Sequence, residues 1–155
     1  MATTVIPVLI DALVTQATTA LPNVNVFDGY GVTDDPGDFL MVGVEDPDAT
    51  DSASSADSSQ SAATMGTPRT RDETGSISCV ALSWNGNADQ KAARDAVFAI
   101  TEAVASLCRS NPSLGVAAGG LVVTGFGADQ RLLQNQDENG TEAAVIFTIS
   151  FRARI

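Results

Sequence analysis

The stretch that decides the fold is the C-terminal run Val145-Ile146-Phe147-Thr148-Ile149-Ser150-Phe151-Arg152-Ala153-Arg154-Ile155. Its period is two. Val145, Phe147, Ile149, Phe151, Ala153 and Ile155 fall on one side, and Ile146, Thr148, Ser150, Arg152 and Arg154 on the other. A strand with that alternation buries one face and leaves the other for water or a partner. Two of the chain's seven arginines sit on the free face, in a protein whose formal net charge is -11. An extended segment this long requires neighbouring strands, and the search for them organises the rest of the reading.

Working back from this strand, Asn139-Gly140 is a hairpin signal, so Gln130 to Gln136 is expected as the preceding strand and Leu121 to Phe126 as one before it. A helix over about 88–109 carries an apolar stripe of Ala93, Ala96, Val97, Ile100, Ala103, Val104 and Leu107. Asn85-Gly86 separates it from a strand over Ser76–Trp84, and Phe39–Val44 and Val24–Phe27 read as two further strands. The first helix runs from about Val5 to Leu21, with Thr4 placed to cap it, Pro7 tolerated in its first turn and Pro22 closing it. Two helices are too few to serve as crossovers for a doubly wound parallel sheet. The expectation is an α+β domain with two helices on one face of a mostly antiparallel or mixed sheet of about five to six strands.

The chain has 155 residues, 44% of them apolar, enough for one core and a single domain spanning 1–155. Nineteen acidic against eight basic residues argue against a surface that grips phosphate, because nucleic-acid binding needs clustered cations. The N-terminal run lacks a basic leader and is interrupted by Asp11, and the longest uncharged stretch, Ser110–Ala128, is broken by Pro112 and several glycines. A protein made in the cytoplasm, with no membrane span, is the expectation. Cys79 and Cys108 fall in apolar segments without metal-ligand spacing and are expected as buried free thiols. Between Glu45 and Gly75 the composition turns to Asp, Ser, Ala and Thr, which reads as a long, flexible, acidic loop.

Catalytic readings find little support. The chain contains no histidine, which removes the commonest general base and the commonest transition-metal ligand. A Ser/Lys dyad would need Lys91, the only lysine, at the solvated start of a helix. Asp46, Asp48, Asp51 and Asp57 span a calcium-loop length, but Asp51 stands where such a loop needs Gly and Pro47 intrudes. Gly29-Tyr30-Gly31 and Gly125-Phe126-Gly127 are isolated fragments of a nucleotide-binding pattern. Asn139-Gly140-Thr141 also fits a glycosylation sequon, for which a turn is the simpler reading. No enzyme activity, cofactor or metal is expected.

The order of features resembles that of tail terminator, or tail completion, proteins of long non-contractile-tailed bacteriophages. It rests on the opening helix Val5–Leu21, Val26-Phe27-Asp28-Gly29, the strand Phe39-Leu40-Met41-Val42-Gly43-Val44, and Ile77 to Gly86. Ala92-Ala93-Arg94 opening the second helix, Leu132-Leu133-Gln134 and Ala144 to Ile149 complete it, while the serine-rich segment has no counterpart. The resemblance implies a virion structural protein forming a ring, a hexamer, on the head-proximal end of the tail tube. There it would stop tube polymerisation, present a surface to the head–tail connector or neck protein, and let DNA pass without specific binding. Six copies at -11 each carry about -66, so such a ring needs locally complementary contacts. Arg152, Arg154, Arg69 and Arg71 are the expected cations of this oligomer or tube-docking interface, with Asp46, Asp48, Asp51 and Met65 of the acidic segment. The plainer reading of the arginines is that they keep an edge strand soluble. Two other functions stay open: a neck or head-completion connector, and a cytosolic small-ligand-binding domain or enzyme, which would need a pocket with convergent polar groups.

Overall fold

A computed structural model describes residues 3–31, 36–48, 53–62, 70–116 and 122–155. Among these residues the chain is α+β, with two helices and a six-stranded mixed sheet. The elements in order are α1 (Ile6–Ala20), β1 (Asn25–Asp28), β2 (Gly37–Val42), β3 (Ala56–Ala62), β4 (Arg71–Asn85), α2 (Gln90–Ser110), β5 (Val122–Asp137) and β6 (Gly140–Arg154). The sheet order is β1-β2-β4-β6-β5, with β3 attached to β4. Only β1–β2 is a parallel pair among these strands; β2–β4, β3–β4, β4–β6 and β5–β6 are antiparallel.

The long strands β4 and β6 form the spine, paired without interruption from Asp72↔Arg154 to Asn85↔Thr141. The opposite edge of β4 is divided: its C-terminal half pairs with β2 and its N-terminal half with β3. Both helices lie on one face. Leu9, Leu13 and Ala17 of α1 and Ala93, Val97, Ile100, Val104 and Cys108 of α2 pack with Leu40 and Val42 of β2, Ile77, Cys79 and Ala81 of β4, and Val145, Phe147, Ile149 and Phe151 of β6. Small residues on α2 let it approach the sheet closely, and its first turn is capped by Asp89, whose carboxylate accepts from the Ala92 amide at 3.0 Å.

Three expectations need correction. The segment 45–75 is not one loop, because Ala56–Ala62 is a strand and β4 starts at Arg71 rather than Ser76. The sequence Ala-Asp-Ser-Ser-Gln-Ser-Ala has no apolar alternation, and backbone pairing to β4, from Ala56↔Ile77 to Ala62↔Arg71, holds it extended. The two strands expected before the hairpin are one, β5, with its register shifted between Phe126 and Gln130, as at a bulge. The hairpin loop is Glu138-Asn139, between the paired Asp137 and Gly140. Gly140 supplies the positive φ, +142°, and a Cβ there would stand 2.0 Å from the Asn85 carbonyl oxygen.

Candidate interaction surface

Strand alternation sorts β6 as its sequence implies: Val145, Phe147, Ile149, Phe151 and Ala153 are buried under the helices, and Ser150 and Arg152 are exposed on the other face. No helix covers that second face among the described residues. Its two ends differ in character because the neighbouring strands differ.

At the β3 end, register places Asp57, Ser59 and Ser61 of β3, Asp72, Thr74 and Ser76 of β4, Ser150, Arg152 and Arg154 of β6, and Val123 of β5 on one polar surface. Arg154 grips Asp72 with two hydrogen bonds, Nε to Oδ1 at 2.8 Å and Nη2 to Oδ2 at 3.3 Å. This forked geometry is the one a guanidinium and a carboxylate make best. Arg154 therefore holds the Asp72 carboxyl below the ordinary carboxylate range, first through these bonds, and both arginines add charge attraction. Arg152 lies beyond, 3.8 Å from Asp72, with its side chain 69% exposed. The nearby Val123 is also exposed.

The residue after Asp72 points to the opposite face and does different work. Glu73 is fully buried beside the start of α1. Its carboxylate accepts from the Val5 amide at 2.8 Å, from the Thr4 hydroxyl and from the Ser58 hydroxyl at 2.7 Å. Burial alone would raise its pKa, but these bonds and one from Gln60 outweigh it and the net shift is downward. The Thr4 hydroxyl accepts from the Ile6 amide at 3.2 Å, as expected of a cap, and Glu73 adds to it, placing a negative charge at a helix N-terminus while tying α1, β3 and β4 together. Sequence reasoning missed Glu73. The available signal was register: counting back by twos from Ala81, Cys79 and Ile77 reaches Gly75 and Glu73 on the buried face.

At the hairpin end the same sheet face is apolar and partly covered by the chain after β2. Gly43 and Val44 donate to the Ser78 carbonyl, and Val44 is buried with Met41, Val80 and Ala144. The strap continues through Asp46, whose carbonyl accepts from the Tyr30 hydroxyl and whose carboxylate accepts from the Asp48 amide at 2.9 Å. Pro47 and Asp48 then line a small cleft with Leu133 and Glu142. On its other side Glu142 lines a second cleft with Asp137 and Trp84. Loss of water around it, then the charges of Asp48 and Asp137, push the Glu142 carboxyl above the ordinary range.

The expected interface residues therefore separate. Arg152 and Arg154 come together, with Arg154 already committed to Asp72. Arg71 is paired through its backbone to Ile155, and its Nη1 donates to Gln60 at 3.3 Å, on the helix-bearing side rather than beside Arg152. Asp46 and Asp48 belong to the strap at the opposite end of the sheet. Asp51, Met65 and Arg69 lie outside the described residues.

Among the described residues, the thiols are buried and the charged groups beside the α2–β5 groove are paired with each other. Cys79 and Cys108 are buried, and burial pushes the Cys79 thiol up to about 12 and the Cys108 thiol in the same direction, so neither is a thiolate at neutral pH. A groove of about 340 Å³ runs between α2 and β5, flanked by Phe98, Thr101 and Phe126. Its charged groups, Glu102 and Arg109, are spent on each other at 2.5 Å, and the Thr101 hydroxyl donates to the Val97 carbonyl. Among the described residues no group of three or more His, Cys, Asp or Glu is placed to hold a metal ion, and no helix is long and apolar enough to cross a membrane. The chain matches no protein-family model, and no curated relative is found for it.

Proposed function

We propose that this chain is one segment of a ring that closes the head-proximal end of a bacteriophage tail tube and joins it to the connector. The observation that carries this reading is the helix-free sheet face, where an exposed guanidinium, Arg152, projects from the long spine strand of a chain with net charge -11. A cation held out on a β-strand, next to the exposed Val123, suits a directional contact with a carboxylate of another subunit. The Arg154–Asp72 pair supports the same reading by occupying Asp72 and leaving the tip of Arg152 largely in solvent. The acidic balance of the remaining surface would let a ring line its channel with negative charge and pass DNA without holding it. In this reading the protein resides in the virion tail and its partners are copies of itself, the tail tube protein and a neck protein.

The test is to add purified chain to polymerising tail tube protein of the same phage. Short tubes bearing a terminal ring in electron micrographs are expected. Tubes of unaltered length with bare ends would refute the reading.

A further inference from the structure

We infer that the chain modifies itself at Asn85: the Gly86 amide nitrogen closes on the Asn85 side chain, ammonia leaves, and the residue becomes aspartate or isoaspartate. This chemistry needs neither a partner nor the ring proposed above.

The sequence holds two Asn-Gly pairs, Asn85-Gly86 and Asn139-Gly140, and glycine is the following residue that least obstructs an approach to its own nitrogen. By exposure alone Asn139 would react first, since it is exposed in the hairpin loop and Asn85 is half-buried. The hydrogen bonds favour the other pair. The Asn87 amide donates to the Asn85 Oδ1 at 3.1 Å, an Asx turn that folds the side chain back along its own backbone. That donor sits on the oxygen where negative charge develops when a nucleophile adds to Cγ, as a preformed N–H stabilises an oxyanion. The nucleophile is free as well. Gly86 follows the last paired residue of β4, is exposed, and its amide finds no acceptor among the described residues. At the hairpin the reverse holds: Gly140 is paired with Asp137 in the ladder and packs on the Asn85 carbonyl, and the Asp137 carboxylate holds the Asn139 amide at 2.7 Å.

The atoms balance without oxidant or reductant. A bond forms between the Gly86 nitrogen and the Asn85 Cγ, the Cγ–Nδ2 bond breaks, and the Gly86 proton reaches Nδ2 through water, which leaves a five-membered succinimide and ammonia. Water then opens the ring, at Cγ to give isoaspartate's isomer aspartate, or at the main-chain carbonyl to give isoaspartate itself. Either product puts a new carboxylate next to Trp84, whose cleft already holds Asp137 and Glu142.

To test this, the full chain is held in mildly alkaline buffer below its melting temperature, and peptide mapping by mass spectrometry follows both Asn-Gly pairs. Conversion at Asn85 should outpace that at Asn139 by at least about tenfold, the ratio that one well-placed hydrogen bond and one free nucleophile supply. In denaturant the two sites should convert at similar rates, because both are Asn-Gly and only the fold distinguishes them. Asn87→Pro removes the donating N–H from an exposed residue and, with its melting curve matched to the parent, should slow Asn85 severalfold. Conversion at Asn139 as fast as at Asn85 in the folded chain overturns the inference. So does a preference for Asn85 that survives denaturation unchanged, or an Asn85 rate indifferent to Asn87→Pro. The comparison of folded and denatured chain decides the matter without the variant.

Discussion

The helix-covered face of the sheet and its bare face handle charge in opposite ways, and the adjacent residues Glu73 and Asp72 show how. Glu73 points under the helices, is inaccessible to solvent, and has its carboxylate satisfied by Thr4, Val5 and Ser58. Asp72 points to the bare face and is satisfied by Arg154, with Arg152 left at the rim. One carboxylate holds elements of the fold together. Its neighbour arranges a charge at the surface. The covered carboxylate is completed by donors from α1 and β3, whereas the bare face leaves the Arg152 guanidinium largely in solvent.

The comparison breaks most visibly at Glu73. Glu73→Ala leaves the Val5 amide and the Thr4 and Ser58 hydroxyls without their acceptor, and should cost about 3 kcal/mol, since deleting one partner of a buried charged network is strongly destabilising. A calorimetric melt should fall by roughly 10 °C for a chain of this size. Because the folded-state pKa of Glu73 is lowered, its stabilisation is present at neutral pH and is lost as pH falls through that lowered value. Glu73→Gln should therefore flatten the acid limb of the stability profile. Unchanged acid sensitivity would assign that limb to other carboxylates, Asp72 among them.

A smaller loss is expected at the hairpin. Gly140→Ala must hold a side chain at φ +142° against the Asn85 carbonyl, and chemical denaturation should register a cost of about 2 kcal/mol. On the covered face, Thr141 is buried and its hydroxyl finds no hydrogen-bond partner among the described residues. Thr141→Val should accordingly raise stability by about 1 kcal/mol in the same assay, as removal of an unsatisfied buried group does. The smallest effect belongs to the bare face. Glu142 has a raised pKa, so its ionised form costs stability once pH rises above that value. Glu142→Gln should melt slightly higher than the parent chain at pH 7, and the gap should close in acid, where the parent carboxyl is itself protonated.

How far these features were legible depended on whether apolar periodicity marked them. The alternation of β6 and the stripe of α2 carried the α+β class and assigned both faces of β6 correctly, because burial of every second or every third to fourth residue leaves a direct imprint on sequence. The strand β3 left none: Asp57 to Ser61 are hydroxyl, amide and acid side chains on an edge, and only pairing to Arg71–Ile77 makes them extended. Glu73 was hidden for a related reason. A carboxylate at the margin of a serine-rich segment reads as solvated unless the strand is known to continue through it, and its partners Thr4 and Val5 are almost seventy positions away. The pairing of Arg154 with Asp72 depends on the same long-range register, which is why two arginines that look equivalent in sequence differ in the fold.

The most direct measurement is tube-end attachment by Arg152→Glu. The variant exchanges one largely exposed side chain and leaves Arg154 on Asp72, so its melting curve should match that of the parent chain. If the bare face is the working surface, this folded variant should fail to cap tail tubes under conditions where the unmodified chain caps them. Capping by Arg152→Glu as complete as that of the unmodified chain would contradict the account.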